Sequence, residues 1–559
     1  MKNLSTFFKL YRPSILVFII AGIIGALIFV SIFGTSVINT GNVQWIQADE
    51  GDFSQHYLGW LFYRQGDWSP ILGSISSLAY PHGIALTFMD SIPLLAIPFK
   101  VISPLLPETF QYFGLWGLLS YTLMGGIGGL IMLRLTRNIP FAILASLIFS
   151  YSPIVIQRMY SHTALAGHWI LLAGIFLLVR LTKNSRISRF IFWWSIVLGV
   201  SACIHPYFIP MNFALMLMSA VLTFKKPLDL ALRVIIPTLF AVSVFAGIGG
   251  FSVSEISTGG ARDFGLNANS LIDPMGFSGF ITPRPAVDGS YEAFSYLGIG
   301  LFLLGAVVAY GAFVASRNLS MRRVGRSIKL FFRSRWLIVS LIALGVLVAS
   351  VGPTINIGTH TLDLYIPASV EEKWSIFRAT GRLFWPLYYL IVIGILYAAY
   401  KLSVNKMTGI VLLCFFSLFV FVQIVDISNG THTYGKHVRF NNAAITTYDM
   451  GVDQVRWNPV AVNKKHIQYI GSADRGSFFP IAYFATEHRL TMSDGYYARS
   501  PYAAIAETSS GARRALLTGQ ARDDTIYITK DDEVISFAKA SQDLTVIRDG
   551  PSYLIITKQ

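Results

Sequence analysis

Acidic residues directly after the first apolar segment are the first candidates for chemistry. This stretch reads ADEGDFSQHYLGWLFYRQGDW and contains Asp49, Glu50 and Asp52, with His56 and Arg64 downstream. A carboxylate held at a membrane surface can act as a general base that accepts a proton from a hydroxyl nucleophile. The same acids are equally compatible with solvated loop residues, because spacing alone does not reveal a perturbed carboxylate. Both interpretations stay open at this point.

A second polar cluster lies in the stretch QRMYSHTALAGHW. In a helix, Arg158 and His162 share a face because they are four residues apart, whereas His168 lies six residues beyond His162. His205 occurs at the end of a later apolar run. Ionisable groups near the bilayer interior are costly, so the cluster indicates function. The alternatives are an interfacial anchor with neighbouring aromatic residues and, for His168, a hydrogen bond to an adjacent helix.

Two arginines form a third cluster, in the stretch FRATGRLFWP. Arg378 and Arg382 are four residues apart, so one helical turn would present both guanidiniums together. Paired guanidiniums bind phosphate oxygens bidentately, which predicts an anionic phosphate ligand at the membrane surface. The alternative is that both side chains extend to the membrane interface beside Trp385.

Three other acids, Asp90, Asp273 and Glu292, are more typical of loop hydrogen-bonding residues or helix caps. The sequence contains no Walker loop, HExxH, paired CxxC or GxSxG motif, and no clear set of metal ligands. It therefore predicts neither soluble nucleotide chemistry nor a metal or other cofactor.

The elements that must position these residues are membrane helices. Of the 559 residues, 53% are hydrophobic and 13% are charged, where soluble domains carry about 25% charged residues. This composition excludes a soluble protein and a disordered one. Cys203 and Cys414 both lie inside apolar runs, which excludes an extracytoplasmic disulfide framework.

We predict a polytopic α-helical membrane protein with about eleven spans, the amino terminus inside and the carboxyl terminus outside. The segments assigned to the cytoplasm are rich in Lys and Arg and contain one acid, Asp229, as the positive-inside rule expects. Topology thus explains the net charge of +15 and argues against a nucleic-acid partner. The predicted spans are residues 14–34, 110–133, 139–156, 164–180, 190–209, 211–224, 231–252, 296–316, 337–353, 383–400 and 408–427.

The sequence predicts two domains. Residues 1–427 form the transmembrane domain, with large outward loops at 35–109 and 253–295. Residues 428–559 form an extracytoplasmic α/β domain. Apolar periodicity in this domain predicts three strands and one helix, at Thr525–Thr529, Leu544–Ile547, Tyr553–Thr557 and Pro501–Gly519.

The sequence resembles the GT-C superfamily of membrane glycosyltransferases. The superfamily has many spans, an acidic residue in a long first outward loop and often a soluble outward domain at the end. The strings GDFSQHYLGWLFYR, MDSIPLLAIPFK, FQYFGLWGLL, HTALAGHW and ATGRLFWP look closer still to one bacterial family within that superfamily. The likeness covers residues 1–427.

The resemblance implies transfer of a sugar from a polyprenyl-phosphate carrier, usually undecaprenyl-phosphate in bacteria. The acceptor is an extracytoplasmic glycan such as O-antigen or another envelope polymer, and the enzyme lies in the bacterial cytoplasmic membrane with its site facing outward. The first-loop acid of such enzymes is the catalytic base. Asp52 is the matching position here, while Asp49 and Glu50 resemble the DE pair of protein mannosyltransferases and remain rivals. With a β-linked donor, direct attack inverts the anomeric centre.

The resemblance also assigns the basic side chains to substrate binding. Three arginines hold the lipid phosphate, namely Arg378, Arg382 and Arg158. The other predicted substrate-binding residues are His56, His162, His168, Arg64 and His205. Some relatives require a divalent metal, and none is predicted here.

Two other functions compete with glycosyl transfer. A non-enzymatic transporter or flippase of a lipid-linked sugar explains the spans and arginines but gives the large first loop and the tail no purpose. Transporters also tend to place polar groups near the bilayer midplane in repeated halves, whereas these residues gather at one face. An accessory protein whose tail binds a cell-wall polymer would not need eleven spans.

Overall fold

The computed structural model describes residues 2–47, 51–181, 185–253, 260–317, 321–444, 452–473 and 475–558. The chain is mostly helical. Its α-helices are α1 (Lys2–Phe33), α2 (Gln44–Gln47), α3 (Asp52–Gln65), α4 (Pro93–Val101), α5 (Phe113–Thr136), α6 (Ile139–Ser150), α7 (Pro153–Ser161), α8 (Trp169–Arg180), α9 (Ile187–Ile204), α10 (Phe208–Thr223), α11 (Pro227–Gly247), α12 (Ile299–Ser316), α13 (Met321–Phe332), α14 (Arg335–Val351), α15 (Ala368–Trp374), α16 (Trp385–Ser403), α17 (Gly409–Asp426), α18 (Ser428–Ala444), α19 (Gln454–Ala461), α20 (Arg475–Glu487), α21 (Tyr502–Leu517) and α22 (Asp532–Ala540).

The strands are short. They are β1 (Ser74–Ile75), β2 (Ile84–Ala85), β3 (Thr354–Ile357), β4 (His360–Asp363), β5 (His466–Ile470), β6 (Thr491–Met492), β7 (Thr525–Thr529), β8 (Leu544–Asp549) and β9 (Ser552–Thr557).

Nine helical segments in the described part of the chain are long and apolar enough to cross a membrane, with α6 and α7 together forming one of them. α13 and α14 form a further broken span bent by 74°, and α10 is a shorter apolar helix. All eleven predicted spans coincide with these helices, and the shortest prediction coincides with α10. The architecture is that of a polytopic α-helical membrane protein.

The chain divides into two compact units, and the first of them holds the membrane helices. The first unit comprises Met1–Thr40, Tyr112–Ser243 and Ser257–Phe440. The second comprises Gly41–Gln111, Val244–Ile256 and Asn441–Gln559. In this division the long first loop groups with the C-terminal residues, and the domain boundary at residue 427 stays a prediction.

Glycines set the contact between α1 and α5 in the first unit. A Cβ atom at Gly25 would lie 2.1 Å from the carbonyl oxygen of Tyr121, and one at Gly125 would lie 2.2 Å from that of Ala21. Both distances are too short for any side chain. The two helix backbones therefore touch, as is common where small residues line a membrane helix pair.

The second unit is built on a five-stranded sheet of order β6-β5-β7-β9-β8. β5 is parallel to β6 and β7, whereas β9 is antiparallel to β7 and β8. The three strands and the helix predicted for this region are confirmed as β7, β8, β9 and α21. β5 and β6 were not predicted.

The first loop extends the edge of this sheet. The N–H of Tyr80 donates to the carbonyl of Met492 at 2.9 Å, and the N–H of Met492 donates to the carbonyl of Ser77 at 2.8 Å. These backbone bonds are the physical reason why the first loop and the C-terminal residues form one unit.

Candidate functional site

The centre of the first unit's polar site is a carboxylate between two guanidiniums. Glu292 Oε2 lies 2.9 Å from Arg158 Nη1 and 2.7 Å from Arg382 Nη2. Arg382 Nε also donates to the same oxygen at 3.0 Å. Arg158 Nη2 donates to the backbone carbonyls of Tyr291 and Glu292, at 3.2 and 2.9 Å. Residues more than 130 positions apart in the chain thus meet in one network.

The three charged side chains of this network are buried, so each charge is stabilised by its neighbours instead of by water. The side chains of Arg158, Glu292 and Arg382 are 2%, 9% and 8% exposed. Burial raises the pKa of the Glu292 carboxyl, but Arg382, Arg158 and His162 lower it by more, so its pKa lies well below the usual range. Glu292 is therefore ionised at neutral pH, and two cations against one anion leave the network with a surplus positive charge.

Two short 3-10 helices bring this network together. Ser290–Ala293 carries Glu292, and Thr380–Phe384 carries Arg382. They approach closely because position 381 is a glycine, at which a Cβ atom would lie only 2.3 Å from the Cβ of Ala293. A larger residue at Gly381 would push the two turns apart.

Aromatic rings form one wall around the guanidiniums. Arg158 lies over the ring of Trp385, 5.5 Å from its centroid, and Arg382 lies over the ring of Tyr207 at 4.9 Å. The Tyr207 hydroxyl accepts the N–H of Ala379 at 2.7 Å. Cation–π contacts and this hydrogen bond fix the orientation of both arginines.

Arg378 differs from Arg382, although the sequence suggested that one helical turn would present them together. No such turn exists, because Arg378 precedes the 3-10 helix that carries Arg382. Arg378 is exposed and lies over the ring of Phe264 at 4.6 Å. In the described part of the chain, no hydrogen bond or ion pair occupies its guanidinium.

Arg378 nevertheless belongs to the same electrostatic neighbourhood. The pKa of the Tyr291 phenol is raised by burial and, to a smaller extent, by the Glu292 carboxylate. The guanidiniums of Arg378, Arg382 and Arg158 act in the opposite direction and lower this pKa. Arg378 thus adds an accessible cation beside the buried network.

The predicted histidines have different surroundings. The N–H of His162 donates to the carbonyl of Arg158 at 3.0 Å, so these two residues do share a helical turn. His205 Nδ1 accepts the N–H of Tyr207 at 3.2 Å and is 7% exposed. His168 is fully buried, with Nδ1 2.8 Å from the hydroxyl of Tyr389. The ring of His168 packs inside the helix bundle, and its contact with substrate stays a prediction.

Asp52, the predicted base, lies in the second unit. Asp52 is the first residue of α3, where the helix dipole stabilises a carboxylate. The Tyr496 hydroxyl donates to Asp52 Oδ1 at 3.4 Å. Asp49 and Glu50 lie outside the described residues.

His56 lies one helical turn beyond Asp52 and is 1% exposed. Its Nε2 lies 3.8 Å from Asp90 Oδ2, and its carbonyl accepts the hydroxyl of Ser91 at 2.7 Å. Asp90 and Ile92 both adopt left-handed backbone conformations, with φ of 52° and 50°. Such conformations are unfavourable for a β-branched residue and often occur at functional sites.

Arg64 makes structural hydrogen bonds, and its contact with substrate stays a prediction. Its Nε donates to the Ser103 hydroxyl at 2.8 Å and its Nη1 to the carbonyl of Glu108 at 2.7 Å. Its Nη2 donates to the carbonyls of Ser103 and Leu106, at 3.3 and 3.2 Å. All three nitrogens are engaged, so Arg64 binds the loop that follows α4.

Sequence reasoning assigned Glu292 to the weak candidates. One signal could have identified it, because two predicted span ends carry arginines and Glu292 is an acid just before another span. Buried guanidiniums need a counter-charge. In the ranges that the structure describes, no cluster of three or more His, Cys, Asp or Glu side chains could hold a metal ion.

Two models of known protein families match this chain. The family model described as "Domain of unknown function (DUF6311)" matches residues 22–428, and the model of the DUF6311 C-terminal domain matches residues 456–556. The chain belongs to the DUF6311 family. The first DUF6311 match contains Asp52 and the Arg158–Glu292–Arg382 network, and the second contains Tyr496. No curated protein matches this DUF6311 chain.

Proposed function

We propose that this DUF6311 chain is a GT-C-type glycosyltransferase of the bacterial cytoplasmic membrane. It transfers a sugar from a polyprenyl-phosphate carrier, such as undecaprenyl-phosphate, to an extracytoplasmic acceptor glycan such as O-antigen or another envelope polymer. In this proposal the amino terminus lies inside, the carboxyl terminus lies outside and the transfer takes place at the outer face, as the distribution of Lys and Arg predicts.

The observation that carries the proposal is the surplus positive charge at the ends of the membrane helices. Arg158 and Arg382 both contact the carboxylate of Glu292, and the exposed Arg378 lies in the same neighbourhood. The phosphodiester of a lipid-linked sugar carries one negative charge, and the departing lipid phosphate gains a second. Such a group needs a cationic site that lies beside hydrocarbon. Arginine suits this role because its planar donors bind phosphate oxygens bidentately.

The reaction needs one proton transfer. Asp52 accepts the proton of an acceptor hydroxyl, whose oxygen attacks the anomeric carbon of the donor sugar. The bond between that carbon and the phosphate oxygen breaks, and the lipid phosphate leaves with the bonding electrons. Arg378 and the Arg158–Arg382 pair stabilise the negative charge that develops on it. A phosphate is a sufficiently good leaving group that no general acid is required, and a β-linked donor gives inversion.

Donor consumption tests the proposal. Purified protein in lipid nanodiscs is given a panel of undecaprenyl-phosphate sugars, with crude envelope glycan as acceptor. Asp52→Asn is compared with Asp67→Asn, which changes an exposed acid of the same loop. We expect the wild type and Asp67→Asn, but not Asp52→Asn, to release undecaprenyl-phosphate.

Two results would contradict the proposal. Full turnover in Asp52→Asn would exclude Asp52 as the base. Movement of an intact lipid-linked sugar across the bilayer, with no release of undecaprenyl-phosphate from any donor, would identify a flippase instead.

A further inference from the structure

The C-terminal sheet has a cavity where its chain connections diverge. β5 pairs with β6 on one side and with β7 on the other, all three in parallel. The chain therefore leaves β5 toward one edge and then crosses back to form β7. In parallel sheets, ligands bind in the crevice that opens at the carboxyl ends of two such strands. A cavity of about 370 Å³ lies there, between the ends of β5 and β7.

Most of the polar groups around this cavity are hydrogen-bond donors or hydroxyls. They come from the loop after β5, from one face of α21, from the loop after β7 and from the start of β9. The hydroxyl and cationic side chains among them are those of Ser472, Ser509, Ser510, Arg513, Lys530 and Ser552.

Arg513 is held in place before any ligand arrives. Its Nε donates to Asp531 Oδ2 at 2.7 Å, and its Nη2 donates to Glu533. The other oxygen of Asp531 accepts the N–H groups of Glu533 and Val534, at 3.0 and 3.1 Å, and so caps α22. Both oxygens of the Asp531 carboxylate are therefore hydrogen-bonded, one to Arg513 and the other to the start of α22.

The serines of α21 share a face with Arg513, because they precede it by three and four residues. The Ser509 hydroxyl accepts the N–H of Gly471 at 2.8 Å and so fixes the loop after β5. Gly471 has a φ of +93°, which favours glycine. Ser510 is exposed on the same face. The cavity thus presents hydroxyls in fixed positions beside two cations, Arg513 and Lys530.

We propose that this cavity is a binding site for a small anionic carbohydrate. Its volume falls within the usual range for small-molecule sites, about 300 to 1,000 Å³. The serine hydroxyls pair with sugar hydroxyls, and Arg513 and Lys530 pair with the anionic group. A sugar phosphate and a hexuronate share this chemistry. The site is independent of the donor site and of the proposed transfer reaction.

Binding of single sugars to the full chain tests this proposal. Wild-type protein in nanodiscs is titrated calorimetrically with glucose 1-phosphate, glucuronate and neutral glucose. Ser510→Trp fills the cavity from an exposed position, and Lys530→Gln removes one cation. Lys558→Gln is the matched control, because Lys558 is exposed and does not line the cavity.

We expect at least one of the two charged sugars to bind and glucose to bind at least about tenfold more weakly, as loss of a charge-assisted contact implies. Ser510→Trp should abolish binding, Lys530→Gln should weaken it at least about fivefold, and Lys558→Gln should leave it unchanged. The charged sugar that binds more tightly identifies the ligand as a phosphate or a carboxylate.

Three outcomes would overturn the proposal: no binding of either charged sugar, equal binding of glucose, or unchanged binding in Ser510→Trp. Binding retained in Ser510→Trp would place the sugar elsewhere, for example on the arginines of the first unit. Because the readout is binding, failure of the transfer reaction in Asp52→Asn would not affect it.

Discussion

Two carboxylates in different regions of the molecule, Glu292 and Asp52, have opposite surroundings. Glu292 is buried, contacts two guanidiniums and has a strongly lowered pKa. Asp52 is partly exposed at a helix start, where the Tyr496 hydroxyl donates to its Oδ1 at 3.4 Å. A buried, doubly paired carboxylate is a poor proton acceptor. Glu292 therefore serves as a counter-charge, and Asp52 stays the base that we propose.

The comparison also explains why the acid with the stronger contacts is not the proposed catalyst. Strong ion pairs stabilise the ionised form of a carboxyl and lower its basicity. A general base works best when its pKa lies nearer the working pH.

The largest expected effect is on turnover. Asp52→Asn should lower the rate of undecaprenyl-phosphate release about 1,000-fold, within the range of general-base catalysis. Donor binding and the thermal midpoint should change little, because the substitution keeps the shape of the side chain. Single-turnover assays with saturating donor measure this. A rate within tenfold of wild type would show that Asp52 is not the general base.

Loss of Glu292 should mainly affect stability. Glu292→Gln leaves two buried guanidiniums without a counter-charge, which should cost about 3 to 5 kcal/mol. Thermal or denaturant unfolding in nanodiscs measures this, with Glu372→Gln, an exposed acid of the same unit, as control. Adding Arg158→Met should restore part of the loss. If Glu292→Gln were as stable as its control, the counter-charge role would be wrong.

Arg378 should affect donor affinity with little effect on stability. Arg378→Gln removes an exposed cation that no described carboxylate pairs with, so we expect donor binding to weaken about tenfold. Arg284→Gln is the matched control, since Arg284 is an exposed arginine of the second outward loop. Titration with a non-hydrolysable donor analogue measures both. If the two variants bound the donor analogue with equal affinity, Arg378 would have no role in binding the phosphate.

The smallest expected effect is a pH dependence of stability. The pKa of Glu292 is lower in the folded protein than the unfolded value of about 4.3. Its contribution to stability is therefore fully present above that value and is lost as the pH falls toward the folded pKa. As the pH is lowered from about 5 to about 3, a range that contains the unfolded pKa of a glutamate, the thermal midpoint of wild type should fall more steeply than that of Glu292→Gln. Parallel curves would contradict the lowered pKa.

The membrane helices could be predicted from the sequence because hydropathy is a local signal. All eleven predicted spans coincide with helices, and the strands β7, β8 and β9 follow from their apolar runs. β6 has only two residues, too few for a periodic pattern. The packing of the first loop against the C-terminal sheet was missed, because it depends on backbone bonds between residues about 400 positions apart.

The site was predictable only where its contacts are local. The Arg158–His162 turn followed from a spacing of four residues. The partner of Arg382 is Glu292, 90 residues earlier, and no spacing rule reaches that far. The contacts of Arg64 and His168 were missed for the same reason. Their partners are distant in sequence: backbone carbonyls for Arg64 and the Tyr389 hydroxyl for His168.

The glycine contact between α1 and α5 has a consequence for hydrocarbon chains. No methyl group fits at Gly25 or Gly125, because a Cβ atom there would overlap the opposite backbone. An acyl or prenyl tail, whose carbons are at least as large, cannot pass between these two helices. A lipid tail that enters the helix bundle must therefore pass between a different pair of helices.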